Sequence, residues 1–236
     1  SRKEKLLVGA AWSRALMQGG GYIKKELIRM KLLVFGATGK TGRALLEQGL
    51  AQGHAVTAFV RNPAALEAQA GLTIISGDVT DAAAVSRAVA GQEAVLSALG
   101  PRGGNYGVLP GGVQIIIAAM KQAGVKRLIH VSSYGVGDSL AQMGWVSRKI
   151  VVPFFLRKAL DEKEIEEGII RASDLDWIIV RPGGLEDGAR TGVYRCITDS
   201  LTKVGQPRIA RADVADFILK NLVDEHFLRQ AVGLTY

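Results

Sequence analysis

The 236-residue chain holds one cysteine, Cys196, so no disulfide can form within it, and its stability must come from buried apolar side chains. Nowhere does an apolar run reach the roughly 18 residues that cross a bilayer. A soluble protein of the cytoplasm or another reducing compartment is the expectation. Aromatic residues make up only 6% of the chain, and they do not alternate with basic ones as on a nucleic-acid-binding face. Lys and Arg outnumber Asp and Glu by 30 to 22, a net of +8, but the excess is unevenly spread. Residues 1–29 carry seven basic and two acidic side chains, a net of +5, which leaves +3 for the remainder. No nucleic-acid partner and no metal are expected, and the few surplus cations suit the phosphates of a small ligand.

With 48% hydrophobic and 22% charged residues, the composition is that of an ordinary globular protein long enough for one well-packed domain. Met30 stands just before the first strand pattern, so residues 1–29 read as a basic leader or extension, with organellar targeting left open. Residues 30–236 read as the domain proper. Short β-branched runs at 32–35, 55–60, 72–76, 94–98, 127–131 and 177–180 alternate with helical patterns at 41–51, 82–90, 113–123 and 155–172. This rhythm predicts an α/β fold of the Rossmann type, a doubly wound parallel sheet in a single domain. Beyond residue 180 the rhythm breaks. A short strand at 193–198 and a helix at 213–222 are expected there, with 181–236 forming the substrate-side wall.

The first strand runs directly into Gly36-Ala37-Thr38-Gly39-Lys40-Thr41-Gly42, and the next helix starts inside this cluster. A strand, a glycine turn and a helix N-terminus make an anion site, because unpaired N–H groups and the helix dipole face the ligand while glycine lets the backbone come close. Gly39-Lys40-Thr41 looks like the end of an ATPase phosphate loop. That loop needs glycine five residues before Gly39, where this chain has Val34. A dinucleotide is therefore expected, with Gly36, Thr38, Gly39, Lys40, Thr41 and Gly42 around its pyrophosphate.

About 20 residues further on, where an NAD site wants a carboxylate for the ribose hydroxyls, the second strand ends in Arg61. A guanidinium can fork onto a 2′-phosphate, so NADP(H) is the expected cofactor. Asp78 and Val79 are candidates for the adenine, with helix capping as the competing role of Asp78. Ala98, Leu99 and Gly100 supply small residues where the chain passes a ribose. Ser132 or Ser133, at the end of the fifth strand, could hold a substrate carbonyl or the carboxamide, whereas His130 reads as a core histidine.

The glycine cluster, Arg61, Gly77-Asp78, His130-Val131-Ser132-Ser133 and Ile179-Val180-Arg181-Pro182-Gly183 together resemble the atypical short-chain dehydrogenases with an NmrA-like NAD(P)-binding domain. The chain is most similar to their biliverdin-IXβ reductase and flavin reductase branch. The resemblance runs from about Met30 onward, and it implies NADPH-dependent hydride transfer to flavins or tetrapyrroles. Lys163 matches the family lysine, but four residues earlier stands Ala159 in place of the usual tyrosine. The histidine that borders the substrate in that branch is replaced by Gly183 or Gly184.

These matches imply a pocket made by Ser132, Ser133, Tyr134, Pro182 and Gly183, in which NADPH reduces a planar, aromatic small molecule such as a flavin, tetrapyrrole or quinone. Ser133, Tyr134 and Lys163 are the catalytic candidates. Lys163 either orients Ser133 or neutralises charge, or it is an exposed helix lysine paired with Glu166 or Glu167. Two other functions stay open on the same residues: a non-catalytic NADP(H)-binding redox sensor, and a reductase or isomerase of another metabolite. The oligomeric state is not legible.

Overall fold

The computed structural model describes residues 29–100 and 106–236. Apart from Arg29, the expected leader therefore lies outside the described residues. Strands β1 (Lys31–Phe35), β2 (Ala55–Val60), β3 (Leu72–Ser76), β4 (Ala94–Ser97), β5 (Arg127–Val131) and β6 (Asp176–Pro182) stand in the order 3-2-1-4-5-6, all parallel. That order defines a doubly wound Rossmann-type sheet, with its switch point between β1 and β4.

Alternation along each strand divides the core between two faces. Leu32 and Val34 of β1, Val56 and Ala58 of β2, and Ile129 of β5 point to one face, where helices α1 (Lys40–Ala51) and α5 (Arg211–Lys220) pack against each other. Leu33 and Phe35, with Val95, Leu128 and Ile179, point to the other. There α2 (Ala82–Val89), α3 (Leu109–Ala123) and α4 (Arg157–Arg171) cover them. A strand buried on both sides reads as a continuous apolar run, which is how β1 and β6 appear in the sequence.

The tail adds strands to the sheet itself. After β7 (Gly184–Glu186), β8 (Arg195–Ile197), β9 (Arg208–Ala210) and α5, the strand β10 (Ala231–Thr235) lies parallel to β6, and β8 pairs antiparallel with its far edge. β7 and β9 form a separate parallel pair. The strand expected at 193–198 shortens to β8. The helix expected from 113 begins at Leu109, and the one expected from 155 begins at Arg157. α4 is preceded by a π-helical turn, Ser147–Leu156.

Candidate active site

The cleft opens at the C-terminal ends of β1, β2 and β4, and it encloses about 610 Å³. Gly36 takes φ +75, and a Cβ placed there would lie 2.4 Å from the Ala98 carbonyl oxygen. At Gly42 a Cβ would lie 2.2 Å from the carbonyl oxygen of Gly36. The two glycines therefore let three backbones meet: the loop, the first turn of α1 and the end of β4. Gly39 is the N-cap of α1, and no side chain caps the helix. Its first N–H groups face a cleft lined by Gly36, Thr38, Gly39, Lys40 and Thr41. The cradle suits a pyrophosphate in charge and in shape.

Arg61, Asp78 and Val79 line the same cleft, as do Ala98, Leu99 and Gly100. Arg61 is solvent-exposed and forms no ion pair with any described residue. Asp78 Oδ1 accepts from the Thr80 N–H at 2.9 Å and from its hydroxyl at 2.7 Å. These two bonds hold the carboxyl below its usual range, and the charge of Arg61 adds to them. Asp81, not Asp78, caps α2, accepting from Ala83 and Ala84 at 3.0 Å each. Gly77 has its own reason to lack a side chain, since a Cβ there would meet the Phe59 ring at 2.4 Å.

Two residues of the mouth were outside the sequence expectation. Arg211, which also lines the cleft, opens α5, and Asp187 follows β7. The Asp187 carboxylate accepts from Lys40 at 2.6 Å and from Arg211 at 2.6 Å. It occupies the two cations that an incoming phosphate would otherwise meet. Asp187→Asn is therefore expected to tighten NADPH binding by roughly threefold with little change in melting temperature, because exposed pairs add little to stability. Isothermal titration against NADPH checks this, and weaker binding would contradict it.

The substrate-side set is not brought together as expected. Ser132, Ser133, Tyr134, Lys163, Pro182 and Gly183 are absent from the cleft lining, and so is Gly42, which acts from behind the loop. Tyr134 is buried, its hydroxyl donates to Gln142, and its ring lies against Gly233. Burial pushes the phenol up from its ordinary value. A proton donor facing the cleft is thus excluded for Tyr134. The Ser132 hydroxyl turns inward and donates to Glu167 at 2.6 Å.

Lys163 is not an exposed lysine either. It is buried and donates to the carbonyls of Leu99 at 2.8 Å and Val131 at 3.2 Å and to Glu166 at 3.0 Å, which uses all three of its protons. Its ammonium ties the ends of β4 and β5 together beneath the cleft. Pro182 and Gly183 are buried, and a Cβ on Gly183 would lie 2.5 Å from the Pro207 carbonyl carbon. Only Ser133 is half-exposed, with one long contact of 3.3 Å to the Tyr134 carbonyl.

Behind this wall the charges are buried and matched. Arg181 donates to both oxygens of Glu167, at 2.9 and 2.7 Å, and to Asp138 at 2.6 Å. His130 lies between Ser97, 3.1 Å from Nδ1, and Glu166, 3.1 Å from Nε2 but out of hydrogen-bond alignment. Burial holds the imidazole below its ordinary value, Lys163 adds to this, and Glu166 opposes it.

Burial pushes Glu166 and Glu167 up, but their partners outweigh it. The close approach of His130 and the Lys163 charge for Glu166, and Arg181 for Glu167, leave both carboxyls low. His130, Glu166 and Glu167 each bind a proton more readily in the unfolded chain. The urea midpoint is therefore expected to fall as pH drops through about 6.5, where the unfolded histidine protonates, and more steeply below about 4.5, where the unfolded carboxylates do. A midpoint that rises on acidification would contradict this.

A family model described as NAD(P)H-binding matches residues 36–225. Among solved structures, ChuY, an anaerobillin reductase from Escherichia coli O157:H7, is 31% identical. It superposes with a TM-score of 0.75, covering 87% of this chain and 96% of its own. A chloroplastic protein of Arabidopsis thaliana is 32% identical over 212 residues, which is 83% of this chain and 72% of that protein. A short-chain dehydrogenase/reductase from Veillonella parvula, solved in complex with NADP, shares the fold at 19% identity and a TM-score of 0.74, covering 88% of this chain and 94% of its own.

Proposed function

We propose the following activity for the chain, which belongs to the NAD(P)H-binding family: it uses NADPH to reduce a planar conjugated acceptor such as a flavin, a tetrapyrrole or a quinone. The observation that carries this reading is a dinucleotide cleft with no side-chain acid at its reacting end among the described residues. The hydroxyls of Tyr134 and Ser132 are committed to Gln142 and Glu167 in the interior. A carbonyl substrate needs a donor for its developing alkoxide, whereas an electron-poor conjugated ring needs alignment above all and can take its proton from water. That ChuY is an anaerobillin reductase supports the same class of acceptor.

When bound, the dinucleotide would supply a hydride, and the acceptor would take up that hydride together with one proton from solvent. The chain positions the reactants. The glycine loop and the α1 N-terminus hold the pyrophosphate, Arg61 selects the 2′-phosphate, and Lys163 fixes the backbone at Leu99. Ser133 offers the single available hydroxyl of the substrate-side set, which suits the carboxamide or an acceptor carbonyl.

NADPH consumption measured with FMN, FAD, a biliverdin isomer and a quinone in turn, with NADH in parallel, tests the reading. Acceptor-dependent turnover is expected, with Arg61→Ala lowering the preference for NADPH over NADH by roughly 10- to 100-fold. NADPH binding without turnover on any acceptor would favour the redox-sensor function instead.

A further inference from the structure

The segment between β5 and α4 carries a surface that the cleft does not use. Six of the fourteen large hydrophobic side chains exposed among the described residues fall within 145–156, and the others are scattered. Trp145 is 67% exposed and Phe154 77% exposed, beside Val146, Ile150, Val151 and Leu156. Ser147 and Val152 turn inward, and Val152 packs with Val136 and Leu160, so the segment is anchored by one side and bare on the other. Interleaved with the bare apolar groups are Arg148, Lys149, Arg157 and Lys158, all exposed, and residues 139–160 contain no Asp or Glu.

A contiguous apolar patch of this kind marks a contact surface. Its charge decides what the contact is. A second copy of this chain, docked by a two-fold axis, would set four cations against the same four cations. An anionic bilayer matches both halves of the pattern at once: Trp and Phe seat at the headgroup boundary, while Lys and Arg meet lipid phosphates. Among the described residues no helix is long and apolar enough to cross a membrane, so the contact would be made at its surface.

We propose that Trp145, Ile150, Val151 and Phe154, with Arg148 and Lys149 between them, form a docking face for the surface of an anionic phospholipid bilayer, placed at the C-terminal edge of the sheet.

Co-sedimentation of the full chain with phosphatidylcholine vesicles, with and without added phosphatidylglycerol, tests this. Binding to the anionic vesicles is expected to exceed binding to neutral ones by roughly tenfold or more, and to weaken in high salt. The basic residues 1–29 also attract anionic lipid, so the deciding comparison is between variants that all retain them. W145E/F154E and R148E/K149E are each expected to lower vesicle binding by roughly tenfold. These side chains are in solvent, and an unchanged circular-dichroism melt identifies a folded variant.

If both variants bind as the parent does, the leader accounts for the attraction and the proposal is overturned. It is overturned equally if sedimentation velocity without lipid shows a dimer that W145E/F154E converts to monomer, since the patch then belongs to a second copy.

Discussion

Gly42→Ala is expected to weaken NADPH binding by at least about a hundredfold and to lower stability by ~1–3 kcal/mol, the usual cost of forcing a methyl group into packed surroundings. The added carbon would lie 2.2 Å from the Gly36 carbonyl oxygen and 2.7 Å from Ala37 Cα, both of them backbone. No rotamer relieves such a contact. The first turn of α1 must lift away from the loop, and that turn lines the cleft proposed for the pyrophosphate. The defect should appear in cofactor affinity well before it appears in folding. Gly168→Ala is the matched control: it lies on the exposed side of α4, a Cβ there meets nothing within 4 Å, and the substitution is expected to add up to ~1 kcal/mol of stability. Fluorescence titration with NADPH and urea unfolding of both variants separate the two effects. Unimpaired binding by Gly42→Ala would remove the pyrophosphate from the glycine loop.

Glu167→Ala carries the largest expected cost in stability, ~3–5 kcal/mol, because it leaves the buried guanidinium of Arg181 facing only the half-open Asp138. In a chain of this size that corresponds to a melting temperature lower by about 10 °C. Glu167 is 3% exposed, and its two oxygens meet Arg181, Arg171 and the Ser132 hydroxyl. The cost arises from the stranded charge more than from the lost bonds. Replacing both members in E167M/R181M is accordingly expected to recover much of the loss. Thermal unfolding of the single and double variants checks this, and a double variant as unstable as the single would show that packing, not charge, dominates.

The phosphate end of the site was legible because each of its residues answers to a local constraint. Gly36 needs a positive φ, Gly42 a missing Cβ, and Arg61 falls at a fixed distance after the loop. The reacting end was not legible, because a hydroxyl's position along a chain does not tell where it points. Alternation at the end of β5 was a usable signal: the side chains of Ser132 and Tyr134 turn inward and that of Ser133 does not, as a period of two requires.

Helix α4 gave a misleading signal of another kind. Glu162, Lys163, Glu166 and Glu167 look like a solvated face, yet all four are buried: Glu162 accepts from the N–H groups of Gly107 and Leu109, Lys163 pairs with Glu166 and donates to the carbonyls of Leu99 and Val131, and Glu167 meets Arg181. Apart from the pair within the helix, those partners lie 14 to 64 residues away in sequence and come close only through the fold. β10 escaped notice because five residues, Ala231–Thr235, carry no period long enough to be read.

That last strand also bears on how the protein comes to be made. β10 completes the sheet beside β6, and α5 packs against α1. Until residues 211–235 are in place, one edge of β6 has no neighbour and the part of α1 that faces α5 stays open to water. Helices α1 and α5 pair across about 170 residues, a contact between distant parts of the chain of the kind that slows folding. During that interval the exposed face of α1 is the surface a chaperone would hold.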